Sequence, residues 1–271
     1  MLVWDPQAEE ILGGYRFIHG SEVQLDENGQ PILATSHMFH FTEKFIKEYL
    51  PYTIELGRSF VQPDYQSSKM GAKSLFALDN LWDGLGALSV VIPESKYFFG
   101  KFTMYPNFDK EGRNMILYYI NRYFPDNEKL VYPKEPLDVQ IDEGKMKSIF
   151  NKEDMKLDYN TLNKEVRRRG FNIPPLVNAY IGLSPTMRTF GTAINDEFSD
   201  VEETGIMITI VDIFEEKKKR YIESFLKSIP QNVIRLLKLR WKRNHKKPKT
   251  IIGEENQIEK KRRKIKSAKK K

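Results

Sequence analysis

Apolar residues recur at two different spacings along the chain, and the two spacings alternate. Alternation of apolar and polar positions predicts strands at LVWD (Leu2–Asp5) and at residues 11–20, joined into a hairpin by a turn at Pro6. The strongest strand pattern covers residues 52–61, and a further strand is predicted at Tyr97–Met104. These segments provide strands for a central sheet.

A segment with the apolar spacing of a helix follows each of the two later strands, residues 52–61 and Tyr97–Met104. Over residues 71–91 the apolar side chains recur every three or four residues: Leu75, Leu78, Leu81, Trp82, Leu85 and Leu88. Shorter helices are predicted at residues 42–49, capped by Thr42, at 113–123, at 145–150 and at 158–169, capped by Asp158. Two strands, at 187–194 and 205–213, follow around an acidic turn. This alternation predicts an α/β fold with one mixed central sheet flanked by helices.

Composition narrows the class of protein further. A chain of 271 residues, of which 40% are hydrophobic, can bury one sizeable core. Cysteine is absent, which excludes disulfides, cysteine-ligated metals and a thiol nucleophile. No stretch approaches the ~20 apolar residues of a membrane span. We therefore expect a cytoplasmic protein.

Charge divides the chain into two unequal parts. Residues 238–271 contain 16 Lys and Arg against 3 Glu, whereas the preceding residues contain 28 basic against 34 acidic side chains. Residues 231–243 form a basic amphipathic pattern that can lie on the inner face of an anionic membrane. A solvated tail is the alternative, and nucleic-acid binding has no supporting motif.

The stretch YTIELGRSFVQPDY, residues 52–65, carries the candidate chemistry. Burying the charged side chains of Glu55 and Arg58 in a strand costs free energy, so we expect them to be paired or to serve a function. The strand leads into QSSKMGA and a helix, and a helix N-terminus with such a polar turn favours a phosphate. An ordinary strand–helix loop with a polar cap is the alternative.

Other chemistries have weaker support. His37 and His40, with Glu43 nearby, have a spacing that could hold a metal, but no third ligand is evident, so no metal site is predicted. Ser59 and Ser68 lack a supporting His–Asp pair. The aromatic run is typical of a core, although the same residue types could line an acyl tunnel; it comprises Tyr97, Phe98, Phe99 and Phe102.

These residues resemble a known superfamily. Residues 66–71, QSSKMG, resemble the Q/R-x-x-G-x-G/A loop with which GNAT acyltransferases grip coenzyme A, with Lys69 in place of the middle glycine. IELGRSFVQPDY is similar to the E-L-x-R signature shared by acyl-homoserine-lactone synthases and the hemolysin-like family of ornithine and glycine N-acyltransferases. LWDGLGAL, KYFFGKFTM and FNIPPLVNAYIGL resemble further segments of that family, so the match spans residues 2–212.

The resemblance implies a domain organisation. Residues 1–213 would form a GNAT-like acyltransferase domain lacking its N-terminal strand–helix unit, residues 214–243 an amphipathic basic helical segment, and residues 244–271 a basic disordered tail. In this fold two neighbouring parallel strands separate near their middle, and we place that separation between residues 52–61 and Tyr97–Met104.

The resemblance also implies a reaction. The enzyme would transfer a long 3-hydroxyacyl group from the phosphopantetheine of acyl carrier protein to the amine of glycine or ornithine, for amino-lipid synthesis, with no permanently bound cofactor. Glu55 would deprotonate or orient the amine, and Arg58 would pair with Glu55 or with an anionic substrate group. Contacts to the donor arm are expected at Gln66, Ser67, Ser68, Lys69, Gly71 and Phe99. The alternatives are an acyl-CoA-dependent enzyme with another acceptor and a non-catalytic module that binds membrane or nucleic acid.

Overall fold

The strands and helices alternate as the apolar spacings predict. The computed structural model of the protein describes residues 1–65, 72–230 and 233. Its strands are β1 (Leu2–Asp5), β2 (Glu10–His19), β3 (Phe39–Phe41), β4 (Thr53–Val61), β5 (Tyr97–Met104), β6 (Val131–Pro133), β7 (Arg188–Asn195) and β8 (Val201–Thr209). Its helices are α1 (Ala72–Val91), α2 (Lys110–Tyr123), α3 (Glu143–Ile149), α4 (Met155–Arg168), α5 (Pro175–Ile181) and α6 (Glu215–Ser228).

Six strands form one mixed sheet in the order β1-β2-β4-β5-β8-β7. The central pair, β4 and β5, is parallel, and the pairs on either side of it are antiparallel. β3 and β6 form a separate two-stranded sheet. The predicted mixed central sheet with flanking helices is therefore confirmed.

Each face of the sheet is covered by its own apolar core, because alternate residues of a strand point to opposite faces. On one face Phe98 and Phe102 of β5 pack with α1, α2 and α4. On the other face Phe99 of β5 packs with Phe41 of β3 and with Phe45. The residues at the centre of the sheet are consequently enclosed from both sides.

Two predicted boundaries were wrong for identifiable reasons. Helix α4 begins at Met155, and its cap is Asp154, whose Oδ1 accepts a hydrogen bond from the Leu157 amide at 2.9 Å. Asp158 lies inside the helix, fully buried, and accepts a hydrogen bond from the Tyr123 hydroxyl at 2.6 Å. Strand β8 starts at Val201 rather than at residue 205 and ends at Thr209, since a 3-10 turn takes over at Ile210–Asp212.

Two predicted segments lie outside the described residues. They are the phosphate-loop residues 66–71 and, apart from Val233, the basic segment from residue 231 onward. In the part of the chain that the structure describes, no helix combines the length and apolarity needed to cross a membrane.

Helices α1 and α6 pack against each other at a glycine. A Cβ placed on Gly86 of α1 would lie 2.7 Å from the carbonyl oxygen of Tyr221 in α6. Real Cβ atoms do not approach main-chain atoms this closely, so the spacing of the two helices depends on the missing side chain.

We therefore expect Gly86→Ala to lower the free energy of unfolding by about 1–3 kcal/mol, since α6 must move away from α1. Urea unfolding of the purified variant measures this change. Gly144→Ala is the matched control, because Gly144 is an exposed helical residue whose added Cβ would meet its nearest atom at 3.4 Å. Equal stability of the two variants would contradict the proposed close packing.

Candidate functional site

The parallel pair at the centre of the sheet comes apart after three residues. β4 and β5 are in register only at Thr53↔Tyr97, Ile54↔Phe98 and Glu55↔Phe99. Beyond these pairs β4 continues to Val61 alongside β2, and β5 continues to Met104 alongside β8. The structure thus contains the predicted separation, and the main-chain groups along its two inner edges have no ladder partner across the gap.

A β-bulge interrupts the pairing of β4 with β2 beside the gap. The register with β2 passes from Arg16↔Gly57 to Gly14↔Phe60, so β4 carries one extra residue there. Arg58 lies in this bulge with φ of 50°, in the left-handed region that side chains rarely adopt. Its side chain is exposed and makes no salt bridge with any described residue. The predicted ion pair between Glu55 and Arg58 is therefore absent from the described residues, since the Glu55 side chain is buried whereas that of Arg58 is exposed.

Glu55 lies at the apex of the gap and is 5% exposed. Its Oε1 accepts hydrogen bonds from the Thr35 amide at 3.1 Å and the Thr35 hydroxyl at 2.7 Å, and its Oε2 accepts one from the Ala34 amide at 3.0 Å. Burial raises the pKa of this carboxyl above its ordinary value of 4.5, although the hydrogen bonds and the charge of Lys101 oppose the rise. Glu55 is therefore both a fixed acceptor and a group that binds a proton more tightly than usual.

A second carboxylate lies on the same face of the sheet. Glu203 of β8, 1% exposed, forms an ion pair with Lys101 and accepts hydrogen bonds from the Thr103 hydroxyl and the Asn195 amide, each at 3.1 Å. Asn195 in turn accepts a hydrogen bond from Nε2 of His37 at 3.2 Å. Two buried carboxylates and one lysine thus form a polar group with an excess of negative charge beside the gap.

Lys101 and Glu203 did not emerge from the sequence as candidates. The available signal was a lysine in the otherwise apolar strand YFFGKFTM, since a charge in such a place requires a partner. Its partner lies 102 residues away in sequence, in the part of β8 that the apolar pattern did not include.

The other residues considered from the sequence for donor or metal binding are Phe99, the pair His37 and His40, and residues 66–71. The Phe99 side chain is fully buried against Phe41, Phe45 and Phe190, with ring centroids 5.6–5.8 Å apart, so only its main chain can reach a donor in the gap. His40 contacts the ring of Tyr132 rather than His37. Among the described residues no three side chains of metal-binding type come together. Gln66, Ser67, Ser68, Lys69 and Gly71 lie outside the described residues.

A mixed sheet whose central parallel strands separate, with a helix following the first of them, is the architecture of a GNAT acyltransferase. A family model described as "Acetyltransferase (GNAT) domain" matches residues 1–75. The chain is 60% identical over 231 residues to a glycine N(alpha)-acyltransferase of Phocaeicola vulgatus, an alignment that covers 85% of this chain and 71% of that protein.

A similar protein occurs in a second organism. The chain is 61% identical over 230 residues to a glycine N(alpha)-acyltransferase of Bacteroides thetaiotaomicron, covering 85% of this chain and 68% of that protein. No solved structure matches the chain. The chain belongs to the GNAT acyltransferase family and is an acyltransferase. Acyl-CoA is the donor typical of GNAT acyltransferases, which need no permanently bound cofactor.

The Lys101–Glu203 pair should be worth more than an exposed ion pair. We expect Lys101→Met to lower the free energy of unfolding by about 3 kcal/mol, because it leaves Glu203 buried without its counter-charge. The double variant Lys101→Met/Glu203→Gln should recover part of this loss. Denaturant unfolding at neutral pH measures both, and Lys47→Met, which breaks the exposed Lys47–Glu43 pair, is the control. Equal losses for Lys101→Met and Lys47→Met would contradict the interpretation.

The raised pKa of Glu55 predicts a particular dependence of stability on pH. Because the folded chain holds this proton more tightly than the unfolded chain, the stabilisation is fully present below the unfolded pKa and is lost as the pH rises through the higher folded pKa. Glutamine does not titrate. We therefore expect the free energy of unfolding of the wild type, relative to Glu55→Gln, to decrease as the pH rises above the ordinary carboxyl value of 4.5. Paired urea titrations measure the difference, and an increase with pH would show that the folded pKa is lowered instead.

Proposed function

We propose that this enzyme transfers a long 3-hydroxyacyl group from acyl carrier protein to the amine of glycine, for the synthesis of amino-lipids. One observation carries the proposal: the gap between β4 and β5 has the buried carboxylate of Glu55 at its apex, in a chain 60% identical to a glycine N(alpha)-acyltransferase over 231 residues. The E-L-x-R signature contains this same glutamate and favours the hemolysin-like branch of the family.

The gap suits an extended donor arm. A pantetheine arm carries amide groups, and the main-chain groups beyond the last β4–β5 pair, Glu55↔Phe99, can bind it as a missing strand would be bound. The helix that follows β4 presents its N-terminus to the arm's phosphate, with residues 66–71 as the phosphate loop. The thioester then lies near the apex, where main-chain amides polarise its carbonyl oxygen.

The reaction at the apex needs no enzyme nucleophile. The amine nitrogen attacks the thioester carbonyl carbon, the C–N bond forms, the C–S bond breaks, and the carrier thiolate leaves. The attacking amine loses one proton and the departing thiolate gains one. Binding and orientation of the two substrates therefore supply much of the rate enhancement.

Glu55 is suited to hold the attacking amine. A carboxylate oxygen can accept two hydrogen bonds, and Oε2 of Glu55 receives one, from Ala34, among the described residues. Its second lone pair can accept an N–H of the substrate. When Glu55 is ionised, it and the Lys101–Glu203 pair together carry one net negative charge, which favours the ammonium form of glycine in the same place; that ammonium releases one proton before its nitrogen attacks. Arg58, exposed on the bulge, remains available for an anionic group such as the glycine carboxylate or the donor phosphate.

The test is a direct assay with the intact chain. Purified protein, 3-hydroxyacyl carrier protein and glycine should release free carrier thiol and yield N-acylglycine by mass spectrometry. Glu55→Gln should lower kcat by about a hundredfold or more while the fold is retained. Glu48→Gln, at an exposed carboxylate outside the gap, should leave kcat unchanged.

Other outcomes would replace the proposal. Product with ornithine but not glycine would reassign the acceptor. Thiol release from acyl-CoA alone would show that the donor is not the carrier protein. No release from either donor would favour a non-catalytic binding module.

A further inference from the structure

Helices α4 and α5 enclose an open recess of about 800 Å³ on the face of the sheet opposite Glu55. The polar side chains that line it include Asn160, Asn163, Lys164, Arg167, Arg168 and Asn178. We call this feature the basic recess. It is unconnected with the polar group formed by Glu55, Lys101 and Glu203.

The charged side chains that line the basic recess are all positive. Three of its lining residues are cationic and none is acidic. Arg168 pairs with Glu165 at 2.7 Å, whereas Lys164 and Arg167 form no salt bridge with any described residue. All three cations are exposed. This concentration is unusual in a body whose residues before 238 contain 34 acidic against 28 basic side chains.

The basic recess borders the end of the molecule at which the gap opens. Phe171, just beyond the C-terminal end of α4, packs on Phe108 with ring centroids 5.0 Å apart, and Phe108 follows the C-terminal end of β5. Arg169 reaches the same loop, 3.6 Å from Asp109. The gap is open toward that end of β5, because its pairing with β4 stops at Phe99.

Helix α5 connects the basic recess to the helix that follows β4. Tyr180 of α5 packs edge-to-face on Trp82 of α1, with ring centroids 5.5 Å apart. The basic recess and α1 therefore lie on the same face of the sheet.

We propose that the basic recess is the docking surface for an acidic face of the carrier protein that brings the acyl group. The inference rests on the proposed carrier-dependent function. Exposed cations on a docking surface raise the rate of encounter with an acidic partner through long-range attraction. The carrier-dependent function supplies such a partner at the end of the molecule where the gap opens.

Charge reversal tests the proposal. In Lys164→Glu/Arg167→Glu/Arg168→Glu, kcat/KM for acyl carrier protein should fall about tenfold or more at low ionic strength, and its dependence on salt should flatten. The rate with acyl-pantetheine, which has the reactive arm but no protein, should not change. Lys47→Glu/Lys129→Glu/Lys134→Glu is the control, with the same change in net charge at exposed positions elsewhere. It should retain the wild-type kcat/KM.

The contrary outcomes are distinct. An equal fall with both donors would assign the recess to the fold or the catalytic site, and no fall with either would remove it from donor binding. Loss of binding to anionic phospholipid vesicles, with carrier kinetics intact, would assign it to a lipid surface.

Failure of the proposed function itself is separable. Titration of the wild type with carrier protein, followed by NMR, detects docking without turnover. If the wild type binds the carrier but does not use it, loss of binding in the recess variant still supports the docking surface. If the wild type neither binds nor uses the carrier, both proposals fall.

Discussion

The short parallel ladder between β4 and β5 is the constraint on which the rest of the structure depends. Three register pairs join the two halves of the sheet. Each half also has a longer antiparallel pairing of its own, between β4 and β2 in one and between β5 and β8 in the other. Each strand is therefore stable without its inner partner, and the two can separate after Glu55↔Phe99 without losing their place in the fold. The bulge at Arg58 then interrupts the regular alternation of β4 beyond the last of these pairs.

The same constraint explains why buried charges are tolerated beside the gap. Glu55 occupies the last paired position of β4, where the loop residues Ala34 and Thr35 cover it with three hydrogen-bond donors. That loop is fixed in turn, since the Gln30 side chain exchanges two hydrogen bonds with the main chain of Phe41 in β3. A carboxylate in this position costs stability through desolvation, which is typical of residues retained for function.

The strand pattern and the family resemblance together located the gap but not all of its polar groups, and the reason is physical. Alternation and helical spacing are local properties, so they predicted the observed bounds of β5, whereas the separation of the two strands was implied by the resemblance. Register is not local. The bulge shifts Arg58 out of the alternation, and the pairing of Lys101 with Glu203 depends on how β5 and β8 align. Asp158 has the residue type and position of a helix cap, yet its contact with Tyr123 places it inside α4, and only the tertiary packing decides between these roles.

The distribution of charge around the gap gives the two sides of the sheet different partners. The carboxylates of Glu55 and Glu203 lie on the face covered by β3, whereas the basic recess lies on the face covered by α1, α2 and α4. On the proposed function, a cationic amine approaches from the first side and an acidic donor protein from the second. If both substrates entered through one pocket on a single face, the same set of charges would have to attract a cationic amine and an acidic protein. A gap between two strands removes the conflict, because it opens beyond the last pair of β4 and β5, so the thioester can lie in the plane of the sheet with Glu55 on one side of it and the basic recess on the other.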